Sequence, residues 1–508
     1  MGFPRLVLGF VARRRARHIV LCILALALSG CPSSAGALTA AAPGELDGSF
    51  ADGGELVVQA NPACARGCVE FFGSYADTML RQTDGKIVLA GSNVFYGDAD
   101  VAVPNTALVR ANADGAPDIS FGVNGLVDGP PFAIWHIYET RLHRLLVVGG
   151  QGDEAGVEEL DPDGAVNDAF GPFGAAPVRS FPTQLPVFAA QVDQAGRIVV
   201  VAGAPAVHGG AAGPIEVMRF LPQGTPDRGF GSNGIVVLHG LRKTGAVRPL
   251  AVALQADGGT VIMGQNYDTR GAPTGRVASK PKPFLTSLTA KGTLASSFGQ
   301  HGILRLPPIF SYDSPVLAPT PGGGVLLAFG ESPEEALPVT GQGSIGPHPR
   351  ELMRLMRFTP SGRLDQAFGH AGVASDVLFA DGRGSVAPAA IAFDAHRDPL
   401  VVGSQTVRTI DTGSAGSWFL VRYTPHGRDC SFGRRGAIYG NRRGSATAVA
   451  VQPDGRIVIA GDSGHAFMTA RYIGGGPTRT CPGERRPTRH SPPRRRSRAR
   501  DGGRGPGA

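Results

Sequence analysis

The feature that most constrains the fold is a short segment that returns seven times along the 508 residues. It reads Phe-Gly-x-x-Gly, usually with an Asp three residues before the Phe. Copies stand at Phe121–Gly125, Phe170–Gly174, Phe230–Gly234, Phe298–Gly302, Phe368–Gly372 and Phe432–Gly436. A variant, Asp47-Gly-Ser-Phe50-Ala-Asp-Gly-Gly54, opens the series. Successive Phe residues are 49 to 71 positions apart, far more than one coil of a β-helix needs. Each repeat must therefore be a supersecondary unit that buries its apolar faces against its neighbours.

Between these segments lies an apolar run, a tight turn and a second apolar run. The clearest copies are Met79 to Gly91, turning at Asp84-Gly85, and Ala448 to Gly461, turning at Asp454-Gly455. Asp-Gly between two β-branched runs predicts a hairpin, with a type I′ turn at the Gly. Degenerate copies turn at Ala195-Gly196, Asp257-Gly258 and Gly322-Gly323. A further segment, such as Ala107-Leu-Val-Arg110 or Phe419-Leu-Val-Arg-Tyr423, supplies a third strand, and the residues after Phe-Gly-x-x-Gly a fourth. The expected fold is all-β: a single seven-bladed β-propeller of four-stranded antiparallel blades, strands A to D, over residues 46–476. The last unit ends at Tyr472 without a Phe-Gly segment, and residues 46–58 have no strands before them. Joining the two predicts a last blade closed by the N-terminal strand, which leaves no open sheet edge. The 74 Gly and 41 Pro suit many tight turns, and 42% hydrophobic residues suffice for a large core.

The pattern resembles the delta-60 repeat family, whose units read approximately Ala-x-Gln-x-Asp-Gly-Lys-Ile-x-x-Ala-Gly, then an Arg-Tyr strand, then Asp-x-x-Phe-Gly-x-x-Gly. The resemblance spans residues 46–474 and is weak in the second unit, where Arg141–Arg144 replaces the Asp-Gly turn. It implies a propeller-like fold and bacterial export, and it brings no enzymatic activity and no site residues.

The ends of the chain carry its positive charge. Of a net +8, residues 1–30 hold +5 and residues 479–508 hold +8, leaving −5 on the body. Basicity confined to two tails argues against nucleic acid as a partner. Residues 1–30 read as an export signal, with Arg13-Arg14-Arg15-Ala16-Arg17 ahead of an apolar run too short to span a membrane. Leu28-Ser29-Gly30-Cys31 resembles the lipobox of bacterial lipoproteins, in which the cysteine carries a lipid. Ordinary cleavage after Ala35-Gly36-Ala37 is the competing reading. Residues 31–45 form a small-residue tether, and the Arg- and Pro-rich 477–508 is expected to be disordered.

Cys22 lies within the signal. In an oxidising compartment Cys64, Cys68, Cys430 and Cys481 then allow three pairings, of which Cys64–Cys68 with Cys430–Cys481 is favoured by proximity.

Several motif matches fail on context. Leu337-Pro-Val-Thr-Gly341 has the form of a sortase signal but no apolar segment follows it, and Gly341 to Gly346 matches a dinucleotide fingerprint without a preceding strand. Gly461-Asp-Ser463-Gly464 echoes a serine-protease loop, yet occupies the end of a strand B. The twelve histidines are scattered, Asp98 and Asp100 are too few to hold Ca²⁺, and the repeated Phe reads as a core anchor. No metal, cofactor or catalytic residue is expected.

The better pointer is architectural. A–B and C–D turns share one face of such a disc, and the B–C and D–A connections, which vary in length, share the other. Uneven loops on a rigid scaffold are where binding usually resides. The candidate surface comprises Asn93, Tyr96, Asp98, Tyr267, Asp268, Arg270, Tyr312 and Asp313. The expectation is a monomeric, non-enzymatic scaffold that binds a protein or polysaccharide at the cell surface, with contact to membrane only through a lipid at Cys31. A propeller enzyme of lyase or lactonase type, with its site at the central channel, and a passive spacer are the rivals. Labelling cells with a radioactive fatty acid tests the anchor: the chain should take up label, and Cys31→Ala should abolish it.

Overall fold

The computed structural model describes residues 41–59, 70–96, 105–170, 178–182, 187–203, 214–239, 246–267, 282–307, 313–331, 351–378, 385–409 and 413–481. It is an all-β, seven-bladed propeller. Six blades are continuous in sequence: 70–128, 133–182, 187–238, 246–305, 313–376 and 385–439. The seventh takes strands A to C from 446–472 and its outer strand from Glu55–Val58. Strands run A-B-C-D outward in each sheet, antiparallel throughout. The innermost strands touch one another in sequence around the whole ring.

The closing strand pairs as expected, Glu55 opposite Ala470 through Val58 opposite Phe467. The junction also rebuilds a C–D turn from two chain ends. Ile473 N–H donates to Glu45 O (2.8 Å) and Gly44 N–H to Ile473 O (2.7 Å). Leu46 bridges Tyr472 as Pro117 bridges Ala111 within blade 1.

Both faces of each sheet are buried, so the strands read as continuous apolar runs with a hidden period of two. In strand B of blade 1 (Ile87–Tyr96), Ile87 and Leu89 pack toward blade 7, whereas Val88 and Ala90 pack toward blade 2. One apolar cluster of this kind fills each of the seven seams. Each fully buried Val, Leu or Ile contributes roughly 1.5–3 kcal/mol.

The A–B turn differs from the type I′ expectation. Gly85 N–H donates to Gln82 O, Gln82 N–H donates to Lys86 O, and only Gly85 has positive φ. This is a three-residue turn ending in a left-handed residue, which requires one positive φ rather than two. That single demand explains how blade 2 keeps the turn without Asp-Gly: His143 takes φ +59°.

The Phe-Gly-x-x-Gly segment is a seam device. The seven Phe side chains are buried. At Gly122 (φ +51°) a Cβ would stand 2.2 Å from Leu126 O, so a side chain is excluded. Its amide donates to Asp163 O of the next blade (2.7 Å), and Gly231, Gly299, Gly369 and Gly433 repeat this bond across their seams.

Above the ring sits an arginine from strand C. Arg110 packs 4.3 Å from the Phe121 ring, its Nε donates to Asp118 Oδ2 (2.7 Å) and its Nη1 to Pro162 O of blade 2 (2.6 Å). Arg219–Asp227, Arg357–Asp365, Arg422–Asp429 and Arg471–Asp47 repeat the pair over Phe230, Phe368, Phe432 and Phe50. Burial works against the charge of Asp429, but hydrogen bonds from Ser431 and Arg479 and the Arg422 charge hold its pKa below the usual range. Blades 2 and 4 change both partners together. Blade 2 has Glu159 and Asn167, with Asn167 Nδ2 donating to Glu159 (2.6 Å), and blade 4 has Ser287 and Ala295. A buried charge left without its partner is strongly destabilising, whereas replacing the pair as a unit is not.

Beyond Tyr472 the chain turns back onto blade 6. Gly475 O accepts from Arg422 Nη1 (2.9 Å), Cys430 N–H donates to Arg479 O (2.7 Å), and Cys430 is disulfide-bonded to Cys481. Cys64 and Cys68 lie outside the described residues.

Chemical denaturation tests the arginine pair. Arg422→Ala should lower stability by about 3–5 kcal/mol, because it strands a wholly buried Asp429. Combining Arg422→Ser with Asp429→Ala, which copies blade 4, should cost much less than the single change.

Candidate functional site

The two faces of the disc are built differently. The A–B and C–D face holds the repeated glycines and arginines just described. The other face is where the connections of unequal length depart from the strands.

Of the residues singled out from sequence, Asn93 lies inside strand B of blade 1 and is buried, its Oδ1 accepting from Ser74 Oγ at 2.7 Å. Tyr96 and Tyr267 end the B strands of blades 1 and 4, and Asp313 opens strand A of blade 5. Their side chains, and all of Asp98, Asp268, Arg270 and Tyr312, lie outside the described residues. So do Cys31, Asp100 and the segment 337–346. Gly461 and Asp462 do end a B strand, as expected. Among the described residues no three His, Cys, Asp or Glu side chains are grouped to hold a metal ion.

The structure instead brings together a polar cluster where blade 7 meets blade 1. Every strand A carries a register break; in blade 1 (Glu70–Arg81), which has a second between Phe71 and Gly73, the one between Ala76 and Thr78 sets Asp77 out of the ladder. The corresponding residues elsewhere are Trp135, Phe188, Leu250, Ala389 and Thr447, with Ser314 and Pro315 in blade 5. A bulge re-aims the side chain it sets out of the ladder, and of these corresponding positions only that of blade 1 carries a charge. Ser92 Oγ donates to Asp77 Oδ2 at 3.3 Å.

Asp462 ends strand B of blade 7 (Ile457–Asp462), at the register position that Ser92 holds in blade 1. It accepts hydrogen bonds from the Ser445 hydroxyl and from the Ser445 N–H (3.1 Å). Beyond it His465 sits in a tight turn at φ +67°, its Nδ1 2.7 Å from Tyr75 Oη, with the two rings edge to face. The turn is pressed onto strand A: Ser74 N–H donates to His465 O (2.9 Å), and a Cβ on Gly73 would lie 2.6 Å from the His465 Cβ. Thr447 Oγ1 adds a bond to Ala76 O across the same seam (2.7 Å).

The electrostatics follow from this crowding. Asp77 is open to water yet surrounded by protein on most sides. That desolvation raises its pKa to about 6 against the pull of Ser92, and the Asp462 carboxylate adds to the rise. Burial also raises Asp462, opposed by Ser445 and by His465. The cluster thus offers a carboxylate that exchanges protons near neutrality, a second carboxylate, an imidazole and a phenol. Such a set can hydrogen-bond a hydroxyl-rich ligand or move a proton. His136, lowered to about 4 by burial, and Glu158, raised to about 7 by burial, share no hydrogen bond with another ionisable group among the described residues.

Sequence reasoning passed over this cluster. Asp77 lies in a run that otherwise reads as strand, and His465 and Asp462 are 385 or more positions away. A repeat-by-repeat comparison of the bulge position would have isolated Asp77.

The family described as a domain of unknown function (DUF5122), a beta-propeller, matches residues 82–121. No curated protein matches the sequence. Solved structures with a similar trace include a protein of unknown function from Dyadobacter fermentans, 12% identical, covering 72% of this chain and 97% of that one with a TM-score of 0.39. An ulvan lyase is 10% identical over 81% of this chain and 98% of its own, with a TM-score of 0.45. A glucose dehydrogenase is 15% identical over 67% and 96%, with a TM-score of 0.33. Likenesses this distant bear on neither the activity nor the ligand of this chain.

Asp77 makes stability depend on pH. Its folded pKa of about 6 lies above the ordinary 3.8, so the fold carries a penalty above pH ~6 that fades as pH falls toward ~4. Asp77→Asn should therefore raise the urea midpoint most at about pH 8 and not at all near pH 4. A difference independent of pH would contradict this account of the site.

Proposed function

We propose that this chain is an exported propeller of the delta-60 repeat kind that binds a polysaccharide or protein at the cell surface without transforming it. The observation that carries this reading is the division of labour between the two faces. One face is occupied by interactions that recur around the ring. The other carries the uneven connections and, at the seam of blades 7 and 1, polar groups that no other blade reproduces among the described residues. The cystine Cys430–Cys481 is consistent with life outside the cytoplasm, and a lipid on Cys31 would hold the disc at the membrane surface.

The enzymatic alternative has one specific observation in its favour, the contact of Tyr75 with His465 beside two carboxylates of raised pKa. Both readings place the ligand at the same seam, and one experiment separates them. Purified chain is incubated with insoluble cell-wall polysaccharide, and both the bound protein and the length of the released glycan are measured. Binding without shortening, weakened at least about fivefold by His465→Ala, is the outcome expected of a binder. Shortening that disappears in His465→Ala makes the protein an enzyme, and the absence of both binding and shortening rules out wall polysaccharide as the ligand.

A further inference from the structure

The seam between blades 4 and 5 holds a pocket near its rim. It has a volume of 440 Å³ and opens near the outermost strand of blade 4, lined by Ser297, Gln300 and Arg305 of blade 4 and by Ser361 and Arg363 of blade 5. Gly299 and Gly362 line it with main chain, and Ile303 and Leu304 give it an apolar wall.

Two guanidinium groups therefore share one cleft, and neither has an acidic partner among the described residues. Other arginines of the neighbourhood are paired: Arg354 with Glu331, Arg357 with Asp365 and Arg428 with Asp376 (3.6 Å). Both cations are departures from the repeat. Seven residues beyond the buried Phe, the other described blades carry Asp128, Val237, Ser375, Tyr439 and Val57, and blade 4 carries Arg305. After the Gly of the C–D turn, blades 1 to 4 carry Ala116, Ala165, Thr225 and Thr293, and blade 5 carries Arg363. Blade 6 also has an arginine there, Arg428, but strand D of blade 5 supplies Asp376 to neutralise it. The residue of blade 4 in register with Asp376 is Leu306, so no carboxylate arrives.

Two guanidinium groups that line one cleft from different repeats offer two cationic donors to a single anion. An arginine fork matches a planar or tetrahedral oxyanion, and the two serine hydroxyls and the glutamine amide can serve neutral oxygens beside it. The volume suits one sugar-sized body rather than a long chain. We propose that this pocket is a binding site for a ligand that carries a carboxylate or sulfate group on a compact hydroxylated body. It is separate from the cluster at the seam of blades 7 and 1 and does not depend on what that cluster binds.

The full chain is titrated at low ionic strength with D-glucuronate, with inorganic sulfate and with D-glucose as the neutral control. Saturable binding of at least one anion is expected, with glucose bound far more weakly. Preference for glucuronate assigns a carboxylate, and preference for sulfate a sulfate group. The combined Arg305→Gln and Arg363→Gln variant should lose at least about tenfold in affinity while melting at the same temperature, since both side chains are exposed. Ser361→Trp, which fills the pocket from an exposed turn and keeps both charges, should give the same loss, whereas Asp77→Asn should give none. Absence of saturable anion binding, equal binding of glucose, or affinity unmoved in the arginine variant overturns the proposal.

Discussion

The propeller depends on how each blade grips the next, because a four-stranded blade apolar on both faces has no stability of its own. The grip has an apolar part, the buried Phe with its seam cluster, and a polar part that fixes register. An arginine on strand C lies over the Phe ring, is held by the Asp three residues before that Phe, and reaches into the next blade. The glycine amide after the Phe reaches the same turn of that blade. Apolar burial alone would let two sheets slide, since it has no direction. Bonds to main-chain carbonyls of one turn admit one register.

This arrangement explains how the ring is closed without a covalent joint. Strand C of blade 7 needs an Asp and a Phe from a following segment, and no Phe-Gly-x-x-Gly segment follows Tyr472 in the sequence. Asp47 and Phe50 serve instead, so that Arg471 meets Asp47 across 424 positions of sequence and also bonds to Ala113 O of blade 1. The closing blade thus uses the same contacts as the others. The seam it forms is also where the polar cluster stands, and Ser74, Tyr75 and Thr447 bind the two sides together. A ligand there would contact the first and last blades at once.

The fold was largely legible in the sequence because its signals are local and repeated. Phe-Gly-x-x-Gly, the hairpin turn and the terminal fragments each marked a position, and seven copies corrected for the weakness of any one. The turn type was misread because Asp-Gly suits two geometries, and hydrogen bonds to Gln82 and Lys86 select between them. The candidate site was far less legible. Unequal loop lengths point to one face only as an expectation, and Asn93 reads as part of a loop there because it follows an apolar run. The strand in fact continues to Tyr96, and Ser74 takes up the Asn93 amide oxygen inside the sheet.

What the sequence determined by itself was the unit and its number, and from the unmatched ends, the manner of closure. Those follow from short-range chemistry: turns that need glycine, strands that alternate, a Phe that must be buried. What only the tertiary structure decided was which exceptions to the repeat meet. Asp77 lies in the first repeat and Asp462 and His465 in the last, as Arg305 and Arg363 lie in the fourth and the fifth, and nothing in linear order joins them across the seams. Curving the sheets into a closed ring brings the first blade against the last and the fourth against the fifth. Side chains that are unremarkable along the chain then meet across a seam, and where blade 7 meets blade 1 the crowding of Asp77 and Asp462 raises both carboxyl pKa values.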